Sequence, residues 1–241
     1  MKKYLTIILS SIVMLFVVSC AKDATNNTGG GNNINTPTVD TSYQPSSAGS
    51  TWLYYTRDSI GTLKDSILVS STGRDTTINT KQYVILNYDT THQFQYHSGN
   101  QYAFRTTAYS FSTTMGNINL AGINIVYINN ENDAVGTKWT FSCVDGNNVT
   151  VSAFTIPTQA IGTVKGVGLT DTENGVTYNN VFFSHIDFQA LLPAFPPTTS
   201  YTTIQSMDIY ASRKVGLIKI ITYNQNNQVT TVQSLKSYTI K

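Results

Sequence analysis

Charge is the first thing this chain lacks. Asp, Glu, Lys and Arg make up 12% of its 241 residues, where a soluble domain usually has about a quarter. With 15 basic against 13 acidic residues, there is no cationic field for nucleic acid, and no basic patch interleaved with aromatics. Cysteine is nearly absent as well: two in all, at positions 20 and 143. Phosphate-loop, Cys-x-x-Cys, His-Glu-x-x-His and Gly-x-Ser-x-Gly patterns are missing. Lys165-Gly-Val-Gly168 is not a nucleotide loop, since no helix follows it. Beyond the first 20 residues no apolar run reaches the 18 or so needed to span a bilayer as a helix.

What is present begins with an address. Met1-Lys2-Lys3 precedes an apolar run from Tyr4 to Val18, broken only by Thr6 and Ser10-Ser11. A positive start and an apolar stretch of about 15 residues are the marks of an export signal. As a helix it would rise roughly 22 Å, short of the hydrocarbon core of about 30 Å. Val17-Val18-Ser19-Cys20 resembles the lipobox of bacterial lipoproteins. That resemblance implies cleavage after residue 19 and a diacylglyceryl thioether on Cys20. Two or three acyl chains on one cysteine would hold a protein on a membrane without any spanning segment. Removing residues 1–19 also takes away Lys2 and Lys3, which leaves the basic side chains equal in number to the 13 acidic ones.

Three segments follow from this reading: a signal over 1–19, a tether over 20–48, and one domain over 49–241. The tether is rich in Asn, Gly, Thr, Ser and Pro, a composition that cannot bury a core. From Thr51 onward, short runs rich in Thr, Tyr, Val and Ile alternate with turn residues at a spacing of roughly 8–15. Ser98-Gly-Asn-Gln101 and Asn174-Gly175 read as hairpin turns. Asp145-Gly146-Asn147 reads as the connection between strands over 138–144 and 149–156, and 118–128 as one further strand. Asp187–Leu192 is the best site for a short helical turn, stopped by Pro193. The fold class expected is all-β: a curved antiparallel sheet forming an open half-barrel, with at most one or two short helices.

Two further segments resemble envelope lipoproteins of Bacteroidota. Ser47-Ala-Gly-Ser-Thr-Trp-Leu-Tyr-Tyr55 is similar to their opening, and Tyr210-Ala-Ser-Arg-Lys-Val-Gly-Leu-Ile-Lys219 with Ser234-Leu-Lys-Ser-Tyr238 to their ending. Thr177-Tyr-Asn-Asn-Val181 resembles a strand such proteins carry. A looser likeness to the half-barrel of Lol-type lipoprotein carriers implies a wrapped sheet and carries no catalytic residue. An envelope location, at the outer membrane on its periplasmic or outer face, is what these resemblances imply. Asp58-Ser-Ile60, Asp65-Ser-Ile67, Asp75-Thr-Thr77 and Asp89-Thr-Thr91 resemble O-glycosylation sites of the same bacteria. By that resemblance Ser59, Ser66, Thr76 and Thr90 are the modified residues, although Asp-Thr is also ordinary turn chemistry.

Chemistry is thinly represented. His92 and His97 are five apart, so a strand puts them on opposite faces. His185 and Asp187 share a face, a geometry found in metal ligand pairs, yet no third ligand stands out; a half-buried histidine is the plainer reading. Glu131-Asn-Asp133 lacks calcium-loop spacing and reads as a turn. Cys143 sits among Trp139 and Phe141 with no base nearby, as a buried structural thiol would. No enzyme, cofactor or metal is expected. Two readings of function stand. One is a non-catalytic lipoprotein holding an apolar or amphipathic ligand, or a partner protein, in its half-barrel, partly capped by Leu191, Leu192 and Phe195. The other is a surface glycan-binding module built on an exposed row of Trp and Tyr. The oligomeric state is left open.

Overall fold

The computed structural model describes residues 40–241 apart from 114–115, 121, 152–153 and 193–199. The signal, Cys20 and Phe195 therefore lie outside the described residues. In chain order the strands are β1 (Thr51–Asp58), β2 (Leu63–Ile78), β3 (Lys81–Tyr88), β4 (Thr91–Ser98), β5 (Gln101–Thr106), β6 (Tyr109–Thr113), β7 (Gly116–Leu120) and β8 (Asn124–Ile128). They continue as β9 (Lys138–Phe141), β10 (Asn148–Val151), β11 (Phe154–Glu173), β12 (Val176–Ala190), β13 (Thr202–Ser212), β14 (Gly216–Asn224) and β15 (Val229–Thr239). One 3-10 turn, Asp145–Asn147, is the sole helical element among the described residues.

Thirteen strands form one sheet, in the order β10-β11-β12-β13-β14-β15-β1-β2-β3-β4-β5-β8, with β9 also on β11. All pairings are antiparallel, and the sheet curls into a barrel closed except for one seam. That seam lies where β8 faces β9 and β11. It is stitched by the Asn124 amide donating to the Cys143 carbonyl at 2.9 Å and the Trp139 indole donating to the Val126 carbonyl at 3.2 Å. β6 and β7 form a separate hairpin.

Local chemistry explains most of the pairing. Asn174 (φ 50°) and Gly175 (φ 83°) turn β11 into β12, with the two positive φ values that a type I′ turn needs. Along β12 burial alternates strictly from Phe182 to Ala190: Phe182, Ser184, Ile186, Phe188 and Ala190 are buried, while Phe183, His185, Asp187 and Gln189 are half-exposed. The apolar ones, Phe182, Ile186, Phe188 and Ala190, join the main core with Tyr43, Tyr127, Trp139, Met207 and Ile209.

A second cluster joins Trp52 and Tyr54 of β1 to Val215, Ile218 and Leu235 near the end of the chain. The Trp52 indole donates to the Val215 carbonyl at 2.7 Å and the Tyr54 hydroxyl to the Leu217 carbonyl at 2.9 Å. Tyr178 and Val181 pack in the same cluster. The opening and ending motifs are thus hydrogen-bonded across 163 residues of chain, with the middle motif packed against both.

Several expectations need correction. Asp187–Ala190 is the end of β12 rather than a helical turn, because its inward residues pair with β13 and fill the core. The segment 118–128 is two elements, β7 and β8, and 149–156 turns back on itself between β10 and β11. β9 and β10 do not pair with each other; both run along β11, one after the other, separated by the 3-10 turn. The folded body also starts earlier than residue 49. Tyr43 is buried edge-on to Tyr102 and Phe182, and the Gln44 side chain donates to the Ala103 carbonyl at 2.9 Å. The compact unit is Val39–Lys241.

Candidate functional site

Tyr43 and its neighbours plug one end of the barrel. At the other end lies a cavity of about 570 Å³. The two ends are set by the strands themselves: the Lys214 amide, beyond the end of β13, donates to the Ser42 carbonyl, whereas Ile204, Gln205 and Met207 near the start of β13 line the cavity. Its apolar wall is Phe104, Ile125, Ile204, Met207 and Ile220, drawn from four strands. Tyr109, at the start of the β6–β7 hairpin, closes one side and packs against Phe188 and Phe111.

The polar part of the lining is amide and hydroxyl. Gln233 donates to the Tyr88 hydroxyl at 2.7 Å, and Gln205 shares a side-chain hydrogen bond with Tyr109. Burial raises the Tyr109 hydroxyl well above its ordinary range, so it stays neutral. Asp, Glu, Lys and Arg are absent from the described residues that line the cavity, and His92 stands exposed among them. A second, more open depression of about 460 Å³ follows the seam and is polar, with Asn79, Lys81, Tyr83, Asn124 and Asn129 along it. Arg105 crosses it in a two-pronged ion pair with Asp145, at 3.1 and 2.8 Å.

The residues singled out in the sequence are scattered. Leu191 and Leu192 follow β12; Leu192 packs against the main core, and neither lines the cavity. Ser59, Ser66 and Thr90 are exposed and Thr76 is half-buried. Cys143 is 2% exposed, and burial pushes its thiol up to about 11, which keeps it an unreactive SH. Glu131 accepts from Tyr102 at 3.2 Å and pairs with Arg213 at 3.1 Å. Both tryptophans are buried, at 3% and 8% exposure, and among the described residues the exposed aromatics are Tyr201 and Tyr238. A Trp platform therefore does not form. No group of three or more His, Cys, Asp or Glu among the described residues is arranged to hold a metal ion.

His185 is held on both ring nitrogens. Nε2 lies 3.4 Å from Asp187 and Nδ1 2.7 Å from Asp208, whose other oxygen accepts from the Tyr223 hydroxyl at 2.7 Å. Asp208 and Tyr223 were invisible as partners in the sequence; only the β12–β13 and β13–β14 registers bring them beside His185. With both nitrogens engaged, the ring has no lone pair for a metal or a substrate proton. Asp187 first, and then Asp208, raise its pKa to about 9 against the opposing effect of burial. A raised pKa stabilises the fold below the unfolded value of about 6.5, and that contribution disappears as pH climbs through 9. The ring is 23% exposed, so screening leaves about 1–2 kcal/mol of the full linkage. We expect unfolding free energy to fall by that amount between pH 6.5 and 9.5, and His185→Gln to abolish the slope. Parallel curves for the two proteins would refute the assignment.

The chain matches no protein-family model and no curated protein. Two solved structures have a similar overall architecture. One is a candidate lipoprotein of Parabacteroides distasonis, at 14% identity and TM-score 0.45, aligned over 83% of this chain and 99% of that one. The other is a candidate exported protein of Bacteroides fragilis with a YmcC-like fold, at 7% identity and TM-score 0.47, over 81% and 98%. Nothing about function passes from either to this chain.

Proposed function

We propose that this chain is an envelope lipoprotein, anchored in the outer membrane through lipid on Cys20, whose barrel binds one apolar or amphipathic ligand without transforming it. The observation that carries the binding reading is the cavity of about 570 Å³ at the unplugged end of the barrel. Pockets that enclose one small ligand span roughly 300–1,000 Å³ and combine an apolar wall with a few polar groups, and this one has that make-up. The lipobox reading of Val17–Cys20 supports the anchor. Tyr43 and Gln44 lie at the plugged end, so the cavity mouth is at the end of the barrel opposite those two residues.

The polar depression along the seam favours a second reading, a glycan site around Tyr83 and its neighbouring asparagines. The two separate in one experiment: native mass spectrometry of residues 39–241 purified from a bacterial periplasm. We expect a lipid-sized mass to accompany the protein and to vanish in Met207→Trp, which fills the cavity from β13. A ligand-free mass for the parent protein would count against the cavity reading and send the search to glycans and to Tyr83→Ala.

A further inference from the structure

The lining of the cavity says which amphiphile it accepts. A carboxylate or phosphate headgroup brought inside would lose its hydration and meet no compensating cation, because no Lys or Arg lies among the described lining residues. Uncompensated charge is the costliest thing to bury. An entirely apolar ligand fits poorly for a different reason. The Gln205 side-chain oxygen is buried and lacks a hydrogen-bond partner, and so is that of Gln95. Gln95 belongs to a small pocket that shares Tyr88, Gln93, Ile220 and Gln233 with the cavity and continues it inward. Buried amide groups without partners are destabilising unless something else hydrogen-bonds to them. A hydroxyl can donate to such an oxygen and can equally accept from the amide nitrogen.

We propose that the cavity selects an uncharged, hydroxyl-bearing amphiphile with a single chain, of the monoacylglycerol class, over lipids headed by carboxylate or phosphate. The hydrocarbon lies against Phe104, Ile125, Met207 and Ile220, and the hydroxyls meet Gln205 and the glutamines beyond it. This inference rests on the reading of the cavity as a ligand site, and the test separates the two.

The probes are monooleoylglycerol, oleate and oleoyl lysophosphatidate, which share one chain and differ in head. Each is added below its aggregation concentration to residues 39–241, a unit that contains every strand and both core clusters. Binding is read by native mass spectrometry and calorimetry. The expected result is at least tenfold tighter binding of monooleoylglycerol than of either anion. Gln205→Leu should bring that ratio below threefold, and Met207→Trp should prevent binding. Ile220→Trp, from the neighbouring strand, serves as a second filling variant should Met207→Trp not fold. If oleate or lysophosphatidate binds as well as monooleoylglycerol, and a filling variant blocks both, the cavity is a ligand site and the head preference is wrong. If no probe binds, or binding survives both filling variants, the cavity reading itself falls.

Discussion

Phe188→Ala should be among the most destabilising single truncations in this protein, at about 3–5 kcal/mol. The side chain is fully buried in β12, and its ring lies 5.6 Å from Phe111 and 6.3 Å from Tyr109. Both partners belong to the β6–β7 hairpin, which forms its own two-stranded sheet. Among the described residues that hairpin has no ladder of hydrogen bonds to the barrel, so the aromatic cluster is a main part of what holds it there. The substitution thus leaves a core void and loosens the side of the cavity formed by Tyr109. In a domain of this size the melting temperature should drop by roughly 10 °C, with the urea m-value unchanged. Limited proteolysis should cut faster between residues 107 and 122. Phe188→Leu keeps most of the volume and should recover more than half of the loss. A cost below 1 kcal/mol for Phe188→Ala would mean the cluster does not anchor the hairpin.

The parts of this fold that were legible in the sequence are those set by neighbouring residues. Asn174-Gly175 and Ser98–Gln101 announce hairpins because positive φ is a local preference, and the alternation along β12 announces a face because strand side chains alternate. What the sequence hid depends on register between distant strands. The tendency of Asp187–Leu192 to turn before Pro193 is overridden by the ladder to β13, which continues through Ala190. Asp208 and Tyr223 could not be assigned to His185 without knowing which residue faces which across two strand pairs. The cavity was hidden for the same reason: Phe104, Ile125, Met207 and Ile220 come from four strands, and their apolar character alone looks like ordinary core. Leu191 and Leu192 stand out in the sequence only by preceding a proline-rich stretch, whereas the glutamines 93, 205 and 233 do not stand out in a chain whose polar residues are largely amide and hydroxyl. Tyr43 is the opposite case. It sits in a segment whose composition reads as a linker, yet its ring is buried against Tyr102 and Phe182.

Gly162→Ala should be nearly as damaging as Phe188→Ala, at about 3 kcal/mol or more, although it adds a single methyl group. Gly162 in β11 faces Trp139 in β9. A Cβ at position 162 would lie 2.1 Å from Trp139 Cε2, 2.2 Å from Cζ2 and 2.6 Å from Nε1. Glycine inside a strand often marks such a close approach, and here the indole lies directly over it. The indole cannot move without cost, since its Nε1 donates to the Val126 carbonyl in β8 and so crosses the open seam. Overpacking of this kind costs about 1–3 kcal/mol, and an orphaned buried carbonyl about 1–3 more. A double-mutant cycle isolates the mechanism. Once Trp139→Ala has removed the ring, Gly162→Ala meets no obstacle and should be neutral or slightly stabilising, because alanine loses less backbone entropy than glycine. The coupling between the two positions should therefore reach about 2 kcal/mol or more, within the range seen for residues in contact. Additive effects would show that the indole does not occupy that space, and the seam would then need another fastening.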